Sequence, residues 1–223
     1  MENKTVLITG SANGLGKALA RVFSKNGFEI ILSDIDKKNL EEVKKEITKN
    51  KVKCISIAGD LTKIKTLDEI ERISRDKKLG VLINNAGLHC PHLSLEKISD
   101  KDIEEIIKVN LISPIQLTKR IYKVFIEQKS GIIININSLS GMKNHKLRTI
   151  YSASKWGMRG FSECLKIEAK ENNVGIIDIY PGRIKTRPEF KSGMNPEKVA
   201  QKIFYVLKDT KNDKITIDGE EYD

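Results

Sequence analysis

The chain has 223 residues, of which 39% are hydrophobic and 31% are charged, a composition that suits a globular domain and is too polar for repeated membrane spans. No apolar run approaches the roughly 18 residues that a spanning helix requires, and no basic stretch with an apolar signal-peptide core follows the first methionine. The formal net charge is +10, but lysines alternate with glutamates on helical stretches, so we expect solvated helix faces and neither a nucleic-acid nor a membrane partner.

Short β-branched apolar runs alternate with longer amphipathic segments along the chain, a pattern typical of βαβ units around a parallel sheet. Several runs, such as IIINI at 132–136, are continuously apolar, as expected where helices cover both sheet faces. The sequence therefore predicts an α/β fold with a doubly wound, seven-stranded parallel sheet, formed by residues 1–223 as a single domain. The predicted strands lie near 5–9, 29–33, 53–57, 81–84, 132–137, 175–180 and 214–217, and the predicted helices at about 15–26, 37–49, 64–76, 100–128, 150–171 and 196–208.

The first predicted strand runs directly into TGSANGLG at residues 9–16, where a helical pattern begins. Backbone N–H groups and the helix dipole at such a junction attract an anion, and glycines let the pyrophosphate of a dinucleotide approach the backbone. A P-loop is excluded because Gly16-Lys17 is followed by Ala18 and not by Ser or Thr. The alternative is a helix-entry turn that binds no ligand.

Asp34 ends the second predicted strand, 18 residues after Gly16, where a carboxylate can accept hydrogen bonds from ribose hydroxyls. A carboxylate there would also repel the 2′-phosphate of NADP, which calls for a nearby arginine or lysine. We therefore expect NAD as the cofactor, although Lys37 and Lys38 lie close enough in sequence to weaken the argument against NADP.

Motifs in one fixed order give the chain a resemblance, over nearly its full length, to the short-chain dehydrogenase/reductase family in its shorter, single-domain branch. The motifs are TGSANGLG at 9–16, Asp60-Leu61, NNAG at 84–87, Val109-Asn110, Ser138 in NSLSG, YSASK at 151–155, and Pro181-Gly182 followed by Thr186.

The resemblance implies a Rossmann-type fold and a reversible alcohol–carbonyl oxidoreduction at Ser138, Tyr151 and Lys155, assisted by Asn110. It further implies that Lys155 binds the nicotinamide ribose, and that Asn110 interrupts its helix and holds a water. The positions that match cofactor contacts of the family are Gly10, Ser11, Asn13, Gly14, Leu15, Gly16, Asp34, Asp60, Leu61, Asn84, Ala86, Gly87, Tyr151, Lys155, Pro181, Gly182, Ile184 and Thr186.

The spacing of the catalytic candidates supports this chemistry independently. Tyr151 and Lys155 are four residues apart on a predicted helix, so their side chains share a face. The ammonium group of Lys155 would stabilise the phenolate of Tyr151 electrostatically, while Ser138 would hold the substrate oxygen against it. Ser140, two residues further on, competes with Ser138 for this role.

Histidines and cysteines invite a metal-site interpretation around His89, Cys90 and His92. The spacing is too tight for all three to bind one ion, so we expect no metal and assign the segment to the rim of the cleft. The remaining cysteines, Cys54 and Cys164, lie far away in sequence. This distribution indicates reduced thiols. The N-terminus, which shows no signal-peptide pattern, predicts a cytoplasmic protein.

Basic residues gather between Ser138 and Tyr151, in the loop that the family uses to line its substrate pocket. Lys143, Lys146 and Arg148 lie there, beside His145. They allow two interpretations, an anionic substrate or an ordinary basic surface loop.

Two departures from the family concern the last part of the chain. Only about ten residues separate Thr186 from the helix entered at 195–196, so the substrate lid is shortened and we expect an open cleft, shielded by residues 187–194 and by a partner subunit. Residues 220–223 replace the usual end of the family after Gly219, which affects expected subunit contacts. A homodimer or homotetramer, paired through the helices at 100–128 and 150–171, is implied by the resemblance alone.

The favoured function is hydride transfer between NAD and a carbonyl or secondary alcohol substrate. A 3-oxoacyl-carrier-protein reductase is an alternative because a basic surface attracts an acidic carrier, but Asp34 argues against the NADPH that reductive synthesis uses. A non-catalytic dinucleotide sensor is a further alternative. The intact set of Ser138, Tyr151 and Lys155 argues against it.

Overall fold

The computed structural model describes residues 4–89, 92–186, 190, 192–207 and 213–218. Its strands form one parallel sheet in the order β3-β2-β1-β4-β5-β6-β7, and no predicted strand end is more than one residue from the observed one. The strands are β1 (Thr5–Thr9), β2 (Glu29–Asp34), β3 (Cys54–Ala58), β4 (Val81–Asn84), β5 (Gly131–Ile136), β6 (Val174–Pro181) and β7 (Lys214–Ile217).

Helices cover both faces of this sheet, so the predicted α/β class and doubly wound architecture are confirmed. Helices α1, α2 and α7 pack into one apolar core, and α3, α5 and α6 pack into the other. The helices are α1 (Gly14–Lys25), α2 (Lys37–Thr48), α3 (Ile64–Asp76), α4 (Asp100–Ile107), α5 (Ser113–Gln128), α6 (Thr149–Ala169) and α7 (Pro196–Val206).

Alternating side chains of the central strands supply the two cores. In β1, Val6 and Ile8 pack with α1, whereas Leu7 points to the opposite face and packs with α3. All three are fully buried, because successive side chains of a strand point to opposite faces and helices lie on both. This explains why the strands are continuously apolar in sequence.

The strand order reverses between β1 and β4, which are neighbours in the sheet although two strands separate them along the chain. The loops that leave their carboxyl ends run in opposite directions and open a crevice, the usual ligand site of such sheets. The glycine turn at residues 9–16 and the NNAG segment at 84–87 both lie at this reversal.

The segment 100–128 differs from the single helix that the sequence predicts. Helices α4 and α5 are joined by a π-helical turn, Lys108–Ile112, in which Ser113 N–H donates to the Lys108 carbonyl. Pro114 accounts for the change, because it has no N–H to give the carbonyl of Asn110, four residues earlier, its usual helical partner. The interruption at Asn110 that the resemblance implies is therefore present.

Short 3₁₀ turns at Leu95–Lys97 and Leu139–Gly141 have no counterpart among the predicted elements, and a third, Lys170–Asn172, takes the place of the last residues of the helix predicted at 150–171. Among the described residues, no helix combines the length and the apolar character that crossing a membrane requires. The predicted end of the last helix at Lys208, and the C-terminal departure at 220–223, lie outside the described residues.

Candidate active site

The glycine turn after β1 leaves the N-terminus of α1 open to an anion. Asn13 occupies the N-cap without a side-chain hydrogen bond to the helix, and the first turn holds no acidic residue. Gly10 has φ +64°, and a Cβ there would lie 2.8 Å from the Cα of Ala86, while a Cβ on Gly16 would collide with the Gly10 carbonyl. Both positions therefore need glycine, and the free N–H groups and dipole of the first turn favour a phosphate.

Asp34 holds the glycine turn from the end of β2. Its Oδ2 accepts a hydrogen bond from Ala12 N–H at 2.9 Å, and its Oδ1 accepts one from Asp36 N–H at 3.0 Å. A carboxylate can accept about four hydrogen bonds, so the half-buried group keeps capacity for hydroxyl donors of a ligand. The carboxylate thus has a fixed position beside the turn.

Thr9 and Asn85 form a clasp between the two loops, a role that the sequence analysis missed. The Thr9 Oγ1 accepts hydrogen bonds from the N–H groups of Asn85 and Ala86, both at 3.0 Å. In return, Asn85 Nδ2 donates to the carbonyls of Thr9 at 2.8 Å and Gly10 at 3.1 Å. The available signals were the threonine that opens the glycine motif and the second asparagine of NNAG.

Asn84, a predicted cofactor residue, directs its side chain into the protein. Its Nδ2 donates to Thr118 Oγ1 at 2.9 Å and to Asn135 Oδ1 at 2.8 Å. Asn84 is buried, so its backbone is the part that could meet a ligand. Asp60 also has an internal partner, because its Oδ1 accepts from Thr62 N–H at 2.8 Å.

The loop after β6 forms the opposite side of the dinucleotide crevice. A Cβ on Gly14 would lie 2.9 Å from the Cβ of Thr186, so this loop touches the glycine turn. Gly182 N–H donates to the Ile217 carbonyl at 2.9 Å, and Ile184 bridges to Met194. The bridge between Ile184 and Met194 therefore joins the two ends of the segment that follows Thr186. Residues 187–189 and 191 of this segment lie outside the described residues.

Tyr151 and Lys155 lie on one face of α6, as their spacing predicts. The Lys155 Nζ is 5.7 Å from the centre of the Tyr151 ring and donates to the Ile136 carbonyl, the last of β5, at 3.1 Å. Only 7% of Lys155 is exposed. A half-buried phenol therefore lies beside a cation that the end of the sheet holds in place.

The residues that follow β5 bring Ser138 to the same region. Asn137 Nδ2 donates to the Lys155 carbonyl at 3.2 Å, which fastens this loop to α6. The Ser138 Oγ accepts from Ser140 N–H at 3.1 Å and starts a 3₁₀ turn. Ser138 is half-buried and Ser140 is fully buried, so Ser138 is the more accessible of the two competing serines.

Asn110 supports the rim of the cleft from the π-helical turn. Its Oδ1 accepts from Leu88 N–H at 2.7 Å, and its Nδ2 donates to the Leu88 carbonyl at 2.9 Å. π-Helical turns often occur at functional sites. Here the turn presents the buried amide of Asn110 to the backbone of the segment that follows NNAG.

Aromatic side chains from two loops meet above Tyr151. The ring centre of His89 lies 6.2 Å from that of Tyr151, 5.4 Å from that of His92 and 6.0 Å from that of Phe190. Phe190 belongs to the shortened segment, so this segment reaches the rim formed by the loop after β4. Cys90 lies outside the described residues, within which no group of three or more metal-ligating side chains occurs.

A network of buried polar side chains lies on the face of the sheet that α5 and α6 cover. Asn135 Nδ2 donates to Ser162 Oγ at 2.7 Å and to Asp178 Oδ1 at 3.3 Å. Asp178 Oδ2 lies 3.1 Å from Lys166 Nζ. Burial raises the pKa of Asp178 above its ordinary value, although the hydrogen bond from Ser162 and the charge of Lys166 oppose that shift.

Comparison with known sequences gives the context for this site. Residues 4–195 match the short chain dehydrogenase family. An uncharacterized oxidoreductase of Staphylococcus aureus is 28% identical over 223 residues, covering 95% of this chain and 94% of the relative. The very-long-chain 3-oxoacyl-CoA reductase of Bos taurus is 34% identical over 185 residues, covering 81% of this chain and 59% of the relative.

Solved structures share the fold over nearly the whole chain. A bulky-bulky ketone specific alcohol dehydrogenase from Comamonas testosteroni superposes with a TM-score of 0.87 at 26% identity, covering 97% of this chain and 86% of that one. A metagenomic short-chain oxidoreductase in complex with NADP gives a TM-score of 0.86 at 25% identity, covering 97% and 96%.

Proposed function

The chain belongs to the short-chain dehydrogenase/reductase family of oxidoreductases, and from this premise we propose that it transfers a hydride between a nicotinamide dinucleotide and a carbonyl or secondary alcohol carbon, with Tyr151 as general acid and base. The observation that carries the proposal is the position of the Lys155 ammonium, 5.7 Å from the Tyr151 ring. Ser138 leaves the same strand end that holds Lys155.

The residues of the crevice fit a dinucleotide. The uncapped N-terminus of α1 suits the pyrophosphate. Without a Cβ, Gly10 can pack against the backbone of Ala86, and Gly16 can pack against the carbonyl of Gly10. Asp34 is fixed beside the turn, where ribose hydroxyls would donate to it. When bound, the nicotinamide supplies or accepts the hydride.

The protein residues move the proton and orient the substrate. In reduction, the Tyr151 hydroxyl gives its proton to the carbonyl oxygen as the new C–H bond forms, and in oxidation the tyrosinate takes the hydroxyl proton back. Ser138 donates a hydrogen bond to the same oxygen. Lys155 stabilises the tyrosinate electrostatically, an effect strengthened by the burial of its ammonium group.

We propose NAD rather than NADP as the cofactor, on the fixed carboxylate of Asp34. Its two backbone hydrogen bonds prevent the side chain from turning away from a 2′-phosphate, so the charges would repel each other. The metagenomic relative, by contrast, binds NADP. Asp34→Asn removes the charge, and we expect it to lower the NADH/NADPH ratio of kcat/KM by about tenfold or more, since 1.4 kcal/mol corresponds to tenfold. An unchanged ratio would contradict this assignment.

A panel of ketones and secondary alcohols with NADH and NADPH tests the reaction. Tyr151→Phe should lower kcat by about 10²- to 10⁴-fold, the usual contribution of general acid–base catalysis, and leave dinucleotide affinity within a few-fold. Ser138→Ala should strongly lower kcat. Its matched control, Ser140→Ala, should leave kcat unchanged. Dinucleotide binding without turnover by the native chain would favour a non-catalytic sensor.

A 3-oxoacyl thioester reductase is a second candidate because the bovine 3-oxoacyl-CoA reductase is 34% identical to this chain over 185 residues. Assays with acetoacetyl-CoA and with an acetoacetyl carrier protein as substrates distinguish this candidate from a simple ketone reductase. Higher kcat/KM for either thioester than for simple ketones would favour the thioester reductase. The cytoplasmic location and the homodimeric or homotetrameric state stay predictions.

A further inference from the structure

Three loops converge on the mouth of the cleft around Tyr151. His89 and His92 come from the segment after β4, Arg148 from the loop that precedes α6, and Arg183 from the loop after β6. The ring contacts of His89 with Tyr151 and with His92 show that the first of these loops lies directly over the catalytic tyrosine.

Two arginines surround this mouth and act on the same histidine. The pKa of His92 is lowered, first by partial burial and then by the positive charges of Arg148 and Arg183. The charges of both guanidinium groups therefore act on one imidazole at the rim. Arg148 also lies at the N-cap of α6, three residues before Tyr151.

Neither arginine is neutralised by a carboxylate among the described residues. The other five described arginines each form an ion pair with an acidic side chain. Among the described residues, the Arg183 guanidinium group makes only one hydrogen bond, a long one of 3.4 Å to Ser192 Oγ. The five paired arginines are Arg21, Arg72, Arg75, Arg120 and Arg159.

The N-terminus of α6 adds to this positive field. The helix runs from Thr149 to Ala169, has no acidic residue in its first turn, and receives no side-chain cap from Arg148. Its first-turn N–H groups and dipole thus favour negative charge close to Tyr151. Guanidinium groups supply the strong, charge-assisted hydrogen bonds that carboxylates and phosphates accept.

On these grounds, and resting on the proposed function, we infer that the substrate carries an oxyanion within a few bonds of the reacting carbon, and that Arg148 and Arg183 bind it. A carboxylate and a phosphate are the two sources of this chemistry. The exposed Lys143 and Lys146, beside His145, belong to the same loop, and their positive charges add to the long-range attraction of an anion.

The test compares matched substrates at saturating NADH, with acetoacetate against methyl acetoacetate and dihydroxyacetone phosphate against dihydroxyacetone. We expect kcat/KM to be at least about tenfold higher for the anionic member of one pair, a hydrogen bond to a charged group being worth roughly tenfold or more. The pair that responds identifies carboxylate or phosphate. Neutral members that turn over equally well would overturn the inference and leave hydride transfer intact.

Variants assign the effect to the two arginines. Arg148→Gln and Arg183→Gln should each lower kcat/KM for the anionic substrate by about tenfold, mainly through KM, and leave its neutral partner within about twofold. Arg72→Gln, an exposed arginine paired with Asp76 on α3, is the matched control and should change neither. Equal losses on both members of a pair would overturn the assignment.

A binding measurement covers the case in which no panel compound is reduced. The NAD-saturated protein is titrated calorimetrically with acetoacetate and with inorganic phosphate, in the native chain and in the Arg148→Gln, Arg183→Gln double variant. Anion binding that the double variant loses supports the inference, and no binding, or binding that survives, overturns it. Failure of the protein to bind NAD or NADP would instead refute the proposed function, and the inference with it.

Discussion

The ion pair between Asp178 and Lys166 allows a direct test of how much a buried charge in the sheet depends on its partner for stability. Asp178 is 0% exposed and the side chain of Lys166 13% exposed, with Nζ 3.1 Å from Oδ2. Lys166→Met keeps most of the apolar stem and removes the ammonium group. We expect the free energy of unfolding to fall by about 3–5 kcal/mol, because an uncompensated buried carboxylate remains, and Tm to fall by about 10 °C.

The loss in Lys166→Met should depend on pH. Burial raises the pKa of the Asp178 carboxyl above its ordinary value, so the folded protein binds this proton more strongly than the unfolded chain. Folding is therefore favoured by the neutral acid at low pH and loses that contribution as pH rises through the raised pKa. Because the variant lacks the opposing cation, its deficit should be largest at pH 8 and shrink towards pH 5.

Urea denaturation followed by circular dichroism, in reducing buffer at pH 5 and pH 8, measures these effects. The Lys166→Met, Asp178→Asn double variant should recover much of the lost stability, since it removes the buried charge. Lys53→Met is the control, because its 2.7 Å pair with Glu29 is shorter but Lys53 is 80% exposed, and we expect no measurable change. A loss equal at both pH values, or no recovery in the double variant, would refute the argument.

Further predictions concern the glycine turn and the rim. Gly16→Ala should abolish dinucleotide binding in a fluorescence titration with NADH, because its Cβ would meet the Gly10 carbonyl. Gly160→Ala on α6 is the matched control and should raise unfolding free energy by about 0.5–1 kcal/mol, since nothing lies within 4 Å of the added Cβ. Asn110→Ala removes both bonds to Leu88. We expect about 2–3 kcal/mol lower stability in urea and a lower kcat with unchanged dinucleotide affinity, whereas an unaffected kcat would contradict its supporting role.

The strand bounds could be predicted closely because strands that are buried on both faces are apolar along most of their length. A run such as IIINI has few alternatives when helices cover both sheet faces, and the glycine turn follows from steric needs that only glycine meets. The relation of Tyr151 to Lys155 follows in the same way from helix geometry.

Other features of the site depend on contacts between distant segments, for which local patterns carry no signal. The π-helical turn arises from Pro114 in a segment whose apolar periodicity continues on both sides, so periodicity alone indicated one helix. The clasp of Thr9 and Asn85 joins loops 76 residues apart. The contact of Phe190 with His89 likewise depends on how two loops fold over the cleft.

The π-helical turn also sets the rotational phase of the helices that it joins. Each residue of an α-helix advances the side-chain direction by about 100°, so deleting one residue from 108–112 would turn α4 by that angle relative to α5. At present Ile106 on α4 faces the cluster that contains Tyr151, whereas Leu117 and Ile121 on α5 face the sheet. The π-helical turn holds one residue more than an α-helical turn and thereby rotates α4 relative to α5. The two helices can therefore pack against differently oriented partners.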